Sequence, residues 1–182
     1  MGRYTEKELI KKLKNDEEEA YEIVLDTYGN RLIKACYLIL KDERESEDVV
    51  QETFLKVFKN IQSFKGKSSL YTWLYSIAMN LCKDMLGKRT NRLSFNDAIE
   101  IESGSLEDIA LDNIDKILLK EKLFELPFIY KEVLILFYFE DLSIKEISRI
   151  LEEKEGTIKS KLSRGRNILK KSLLKGGDFD EK

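Results

Sequence analysis

A single proline, Pro127, in 182 residues constrains this chain more than any other feature. Proline breaks helix interiors by removing an N–H and clashing with the preceding turn. With one proline and nine glycines, a turn-rich β sandwich is excluded and long helices are expected. The apolar pattern agrees. Tyr21, Val24, Leu25, Tyr28, Leu32, Ala35, Cys36 and Ile39 recur with the 3.6-residue period of one helix face, and period-two alternation appears nowhere. The expected fold is all-α.

The periodicity also divides the chain. Residues 16–40 read as a helix pair or one long helix. A helix over 43–60 turns Val50, Phe54, Val57, Phe58 and Ile61 inward. After a loop over 62–69 a third helix spans 70–86, which Ser68 or Ser69 can cap. Its core stripe is Leu70, Trp73, Leu74, Ile77, Ala78, Leu81 and Met85; Thr72, Ser76, Met79, Asn80 and Lys83 lie opposite. From 87 to 113 the period is lost and the composition turns polar and acidic. So long a connection is uncommon inside one compact unit. The expected organisation is an amino-terminal helical domain (1–88), a flexible acidic linker (89–113) and a four-helix domain (114–182). In the latter, Pro127 fits a helix's first turn, and Ile129, Val133, Leu136 and Phe137 face inward. Ser143 and Glu146 form a capping box for a short helix carrying Ile144, Ile147, Ile150 and Leu151. A last helix runs from about Gly156 to Leu174.

Composition removes whole classes of chemistry. There is no His, so Ser-His-Asp, Cys-His and His-containing zinc sites are excluded. Two Cys, at 36 and 82, make neither a Cys₄ site nor a disulfide framework; Cys36 sits on the apolar stripe as a small core residue. No stretch reaches the ~20 apolar residues of a membrane span, and residues 1–15 are polar and helical rather than a signal peptide. A cytoplasmic protein without metal, cofactor or small-molecule substrate is expected.

The net charge of −2 conceals strong segregation. Residues 1–53 carry −5, 54–92 carry +7, 93–142 carry −8 and 143–182 carry +4. Two cationic blocks separated by an acidic one suggest two places to meet polyanions. The second block holds a capped helix, a brief turn and a basic helix, the order of a helix-turn-helix DNA reader. On its last helix Thr157, Ser160, Lys161 and Arg164 lie in the first turns, where base edges are met. Ser163 shares the exposed face with Ser160 and Arg164, Lys159 flanks it, and Arg166 suits phosphate. The first block places Lys65, Lys67, Ser68 and Ser69 on a loop and Asn80 and Lys83 on the following helix, a combination suited to single-stranded nucleic acid. These residues alone also fit solvated cationic helices, or a helix-turn-helix regulator acting by itself. A carboxylate-metal nuclease fits worse, because no acidic pair accompanies a pocket-like glycine loop.

Three stretches, SEDVVQETFLKVFKNI (46–61), FKGKSSLYTWLYSIAMNLCKDML (64–86) and LPFIYKEVLILFYFEDLSIKEISRILEEKEGTIKSKLSRGRNIL (126–169), resemble in order those of extracytoplasmic-function sigma factors of bacterial RNA polymerase. The resemblance implies a non-enzymatic, promoter-specific transcription initiation factor. It implies core RNA polymerase and promoter DNA as partners, and an anti-sigma factor, often membrane-anchored, of the kind that governs stress responses. The family's core-binding pattern falls on Glu47, Asp48, Gln51, Glu52 and Phe54, with Leu55 as an exposed apolar contact. The loop 64–69 and the helix to Lys83 match the reader of the melted minus-ten strand. Residues 157–166 match the minus-thirty-five reader. The chain departs from the family at Ser76 and Met79, where many relatives have Arg. It departs again at the turn, where Glu152-Glu153-Lys154 replaces Gly-apolar-Ser.

Overall fold

The structure, a computed structural model, describes residues 4–93 and 114–176, with side chains over 4–89 and 118–174. Eight α-helices make up most of the described residues: α1 (Glu6–Lys14), α2 (Glu18–Leu40), α3 (Glu43–Asn60), α4 (Leu70–Leu93), α5 (Ile114–Glu125), α6 (Phe128–Leu134), α7 (Ile144–Ile150) and α8 (Glu155–Gly176). The expected linker lies outside the described residues over 94–113. Its first residues, 89–93, instead continue α4.

The amino-terminal unit is built from α1 to α4. A capping box opens α1: Glu8 N–H donates to Thr5 Oγ1 at 3.3 Å while Thr5 N–H donates to Glu8 Oε2 at 2.8 Å. Leu9 and Leu13 are buried on its inner face. One long helix, α2, takes the place of the alternative pair. Its left-handed C-cap at Lys41 (φ 58°) reverses the chain, and Asp42 Oδ1 accepts from Glu45 N–H at 2.9 Å to start α3. Arg89 explains why α4 runs past residue 86. Its guanidinium donates to the Leu40 carbonyl at 2.9 Å and to Glu45 Oε1 at 3.2 Å, and it pairs with Glu45 Oε2. It thus seals the α2–α3 corner from α4, a contact that apolar periodicity does not register.

In the carboxy-terminal unit α5 to α8 pack around Val133, Ile135, Leu136, Ile147, Ile150, Ile158 and Leu162. Pro127 sits one position earlier than expected, at the N-cap of α6. The helix does not stay regular after α6. Residues Ile135–Phe139 widen into a π-helical stretch, closed by Glu140 N–H donating to the Ile135 carbonyl at 3.2 Å. Such an insertion rotates the downstream residues relative to a regular helix. Here it brings Glu140 inside and leaves Tyr138 and Phe139 about half exposed, at 54% and 52%. Ile129 is exposed rather than inward, because the first turn of α6 lies at the edge of the bundle.

The two units touch. Ala35 to Leu40 are six consecutive buried residues, so the end of α2 is covered on all sides, as for a helix between two layers. On α4 the buried arc runs from Leu70 and Leu74 through Tyr75 and Cys82 to Met79 and Thr72. That arc exceeds what one neighbouring layer covers. α2 and α3 cover one side and α7 the other. Thr72 and Met79, expected on the open face of α4, are therefore buried, Met79 to 2% exposure.

A polar cluster ties the units together. Glu140, 6% exposed, receives the Tyr71 hydroxyl at 2.5 Å and the Arg31 guanidinium at 3.2 Å on the same oxygen. The Arg31 guanidinium also lies 4.8 Å from the Tyr71 ring centroid. The hydroxyl of fully buried Tyr75 has no hydrogen-bond partner among the described residues. Burial, reinforced by the Glu140 carboxylate, pushes the phenols of Tyr71 and Tyr75 well above their usual range.

Candidate nucleic-acid and polymerase interfaces

Three exposed surfaces emerge from this scaffold. The first is the outer face of α3. Val49, Val50, Thr53, Phe54 and Val57 are buried, which turns Glu47, Asp48, Gln51, Glu52 and Leu55 outward. Leu55 is 65% exposed. Among the described residues only Glu52 of this strip has an ion-pair partner, Lys56 at 3.6 Å in the next turn. Apart from that one pair the strip has no ion-pair partner among the described residues, so it is free to meet a cationic partner. Phe54, part of the same motif, stacks at 5.7 Å on Phe58 and belongs to the core.

The second surface joins the 64–69 loop to α4. A 3₁₀ turn, Ile61–Ser63, leads into Phe64, which is buried and stacked on half-buried Trp73 with centroids 4.8 Å apart. This anchors the loop stem and makes Trp73 a packing residue. Gly66 takes φ +66° with open space around its Cα, a conformation other residues reach only at a cost. Lys65 and Lys67 project into solvent, and Ser68 is half buried. The Ser69 hydroxyl is committed to the helix start, accepting from Thr72 N–H at 3.0 Å. It therefore positions α4 rather than offering a free contact. Asn80 and Lys83 remain exposed, roughly 16–21 Å along the helix from Ser69 at 1.5 Å per residue.

The third surface is α8. The turn before it closes without glycine. Glu152 takes the left-handed conformation (φ 54°), Leu151 N–H donates to the Ile147 carbonyl at 2.9 Å, and Glu153 N–H donates to the Ser148 carbonyl at 3.0 Å. This is a Schellman-type stop, reinforced by Ser148 Oγ donating to the Glu153 carbonyl. The opposite end of α7 carries the expected capping box of Ser143 and Glu146. Ile158, Leu162 and Gly165 face the core. At Gly165 a Cβ would stand 3.1 Å from Leu134 Cδ1 and 3.2 Å from Tyr130 Cβ, so α8 crosses α6 at close range. Thr157, Lys159, Ser160, Ser163 and Arg164 lie exposed on the outer side, whereas Arg166, exposed as well, donates to the Tyr138 hydroxyl at 3.3 Å beside the π stretch.

Lys161 departs from the expected set. Its side chain is only 15% exposed and reaches Glu153 Oε1 at 2.5 Å and Glu132 Oε1 at 3.3 Å. Burial opposes the ammonium charge, but these two carboxylates outweigh it and its pKa is raised. Burial also raises Glu132, with Lys161 offsetting part of the effect. The wheel position of Lys161 flanks the core stripe, and its long stem lets the charge turn inward. Glu132 follows Lys131 just ahead of the apolar run 133–139, and nothing in the sequence pairs it with Lys161 on another helix.

One feature escapes sequence reasoning altogether. A groove of about 580 Å³ opens between α5, the π stretch and the end of α8, with Leu119, Leu123, Tyr138, Phe139, Leu169 and Leu174 among its walls. The run 133–139 reads as wholly buried; only the π insertion turns its last two aromatics outward.

An all-α chain with two helical units, a helix-turn-helix and two separate cationic faces is a two-unit DNA-reading protein. Comparisons with known proteins narrow this. Residues 24–92 match the model of sigma-70 region 2, and residues 117–169 that of sigma-70 region 4. The chain is 32% identical over 179 residues to the ECF RNA polymerase sigma factor SigW of Bacillus subtilis, covering 92% of this chain and 96% of that protein. It is 27% identical to the RNA polymerase sigma-H factor of Pseudomonas aeruginosa, covering 92% and 93%. Among solved structures, the sigma factor RpoE from Bartonella quintana, in complex with the anti-sigma factor NepR, superposes with a TM-score of 0.73 at 28% identity, covering 85% of this chain and 96% of that one. CnrH, in complex with the cytosolic domain of CnrY, shares the fold with a TM-score of 0.70 at 20% identity, covering 93% and 97%. The chain belongs to the extracytoplasmic-function sigma factors of the sigma-70 family. It is a promoter-specific transcription initiation factor.

Proposed function

We propose that this chain divides initiation among its three surfaces. The α3 strip of Glu47, Asp48, Gln51, Glu52 and Leu55 meets core RNA polymerase. Lys65, Lys67, Ser68, Asn80 and Lys83, with Ser69 as the helix cap behind them, take the melted minus-ten strand. Thr157, Lys159, Ser160, Ser163, Arg164 and Arg166 read the minus-thirty-five duplex. Lys161 holds the reading helix to the turn and to α6. The observation that carries this division is the segregation of unpaired charge. The acidic strip is a feature that a helix-turn-helix regulator acting alone does not need. The work is selection and strand capture in the cytoplasm, with synthesis left to the polymerase, so the chain is not itself an enzyme. Because a relative of similar structure occurs in complex with an anti-sigma factor, an anti-sigma partner is part of the proposal.

The buried state of Thr72 and Met79 adds a step. With α7 against α4, a strand lying along α4 has no access to that side of the helix. Engagement of DNA therefore requires the second unit to leave α4, and the Arg31–Glu140–Tyr71 cluster is what must part.

A pull-down of purified core polymerase tests the division. The wild type should retain core, and Asp48→Ala/Gln51→Ala should lose most of it while keeping duplex binding. Failure of the wild type to retain core would favour the stand-alone regulator. For the duplex reader, Arg164→Ala should cut promoter binding on the order of tenfold, taking about 1–3 kcal/mol for a lost bidentate base contact. Unchanged binding would remove Arg164 from the reading set.

A further inference from the structure

Large apolar side chains left in solvent carry information when they gather in one place. Leu119, Tyr138, Phe139 and Leu174 are all exposed, and all four stand around the groove between α5, the π stretch and the end of α8. Leu169 and Leu173 of α8 continue its apolar lining. The charges on the groove are of one sign. Arg166 and Lys170 line it, and among the described residues no acidic side chain does. Arg166 donates to the Tyr138 hydroxyl at 3.3 Å, which holds its guanidinium at the groove. Lys170 is exposed and makes no ion pair among the described residues. The chain leaves α8 at Gly176, two residues beyond Leu174 in the groove wall. It continues as Gly177-Asp178-Phe179-Asp180-Glu181-Lys182, which lies outside the described residues. That segment holds one aromatic side chain among three carboxylates. It is the chemical complement of an apolar groove with a cationic rim.

We propose that the groove is occupied by the chain's own segment 177–182, with Phe179 seated among the apolar side chains and the carboxylates of Asp178, Asp180 and Glu181 against Lys170 and Arg166. Glycine ends a helix in the left-handed turn without a Cβ cost, and Gly176 and Gly177 stand in succession where the chain must reverse. The reach is sufficient. Three residues past Gly176 span at most ~10 Å, which at 1.5 Å per residue leads back along α8 to about Leu169 and Lys170. Two more residues add about 7 Å, enough to bring Glu181 to the level of Arg166, ~15 Å from Gly176 along the helix. Covalent attachment decides between occupants. It gives the segment a local concentration on the order of millimolar, so one aromatic anchor suffices, whereas the same segment of a second copy has no such advantage. Seated in this way, the segment shields Tyr138, Phe139 and Leu174 from association between chains.

The test uses the full chain with the photoreactive p-benzoylphenylalanine in place of Phe179. On irradiation it should cross-link within one chain to Tyr138, Phe139 or the stretch 169–174, with a yield independent of protein concentration. Lys170→Glu should lower that yield roughly twofold, within the range of a surface ion pair, and adding Asp180→Lys and Glu181→Lys should restore it. The unlabelled chain is read with the apolar dye bis-ANS. Phe179→Asp should raise the dye's fluorescence by opening the groove, and the helix content of the chain should not change, because Phe179 lies past α8. Cross-linked dimers that grow with concentration would overturn the proposal in favour of a second copy as the occupant. Absence of cross-links to the groove, or the same dye signal in the wild type and Phe179→Asp, would overturn it outright. An unchanged yield in Lys170→Glu would overturn the pairing of charges that orients the segment.

Discussion

Glu152 carries a conformational cost that is visible in the chain's own residues, since the turn lacks a glycine. Its φ of +54° lies in the left-handed region, which disfavours residues with a Cβ by about 1–2 kcal/mol. Glycine removes that cost but loses more chain entropy on folding. Glu152→Gly should therefore stabilise the carboxy-terminal unit by roughly 0.5–1 kcal/mol, measured by chemical unfolding; a loss of stability would contradict the strain. Lys131 is a second costly residue. It is buried, donates to the Phe124 carbonyl at 2.9 Å, and burial followed by the nearby Lys41 lowers its pKa to about 8. Between pH 8 and the ordinary lysine range the unfolded chain holds more protons than the folded one, so this group's contribution to stability rises with pH there. The stability of the wild type relative to Lys131→Met should increase by about 2–3 kcal/mol from pH 7 to 10.5. A flat difference across that window would show that Lys131 is solvated. Both residues illustrate what sequence can tell. The missing glycine in the turn was visible at 152–154, whereas the burial of Lys131 depends on α5 lying across it. The inward turn of Lys161 depends in the same way on Glu132 from another helix.

At the scale of elements the periodic stripes placed most helices, because apolar spacing is a local property. The limits of α3 and the start of α4 were legible through Ile61, the loop residues and Ser69. The carboxy-terminal extent of α4 was not, because residues 87–93 are polar and are held by Arg89 binding the end of α2. The π stretch was hidden for a similar reason: an apolar run records burial but not the register in which it is wound. Ser69→Ala should cost about 1 kcal/mol through loss of the N-cap of α4, read as a lower unfolding midpoint. No change would mean that Ser69 is free for DNA after all. At the α6–α8 crossing, Gly165→Val adds three carbons where a single Cβ already meets Leu134 and Tyr130. A destabilisation of about 1–3 kcal/mol is expected, the range for overpacking, with loss of duplex binding as α8 shifts.

For the whole molecule, the exposed faces were legible as charge blocks, but the contact between units was not. Thr72, Ser76 and Met79 looked like one open face because a helical wheel shows only where residues point, not what a distant segment lays over them. Glu140 joins Arg31 and Tyr71 from residues 109 and 69 positions away. Glu140→Gln keeps shape and removes the charge that holds Arg31. In a chain labelled on α3 and α8, the separation of the units should increase, and binding of a single-stranded minus-ten oligonucleotide without core polymerase should rise. An unchanged separation would show that apolar packing alone holds the units.

The central claim is that this chain directs a polymerase to particular start sites. Transcription with bacterial core RNA polymerase on a genomic library, with sequencing of transcript 5′ ends, tests it most directly. Adding the wild-type chain should create a set of starts preceded by two shared elements at a fixed spacing, and Arg164→Ala should erase dependence on the upstream one. The same 5′ ends with and without the chain would contradict the account.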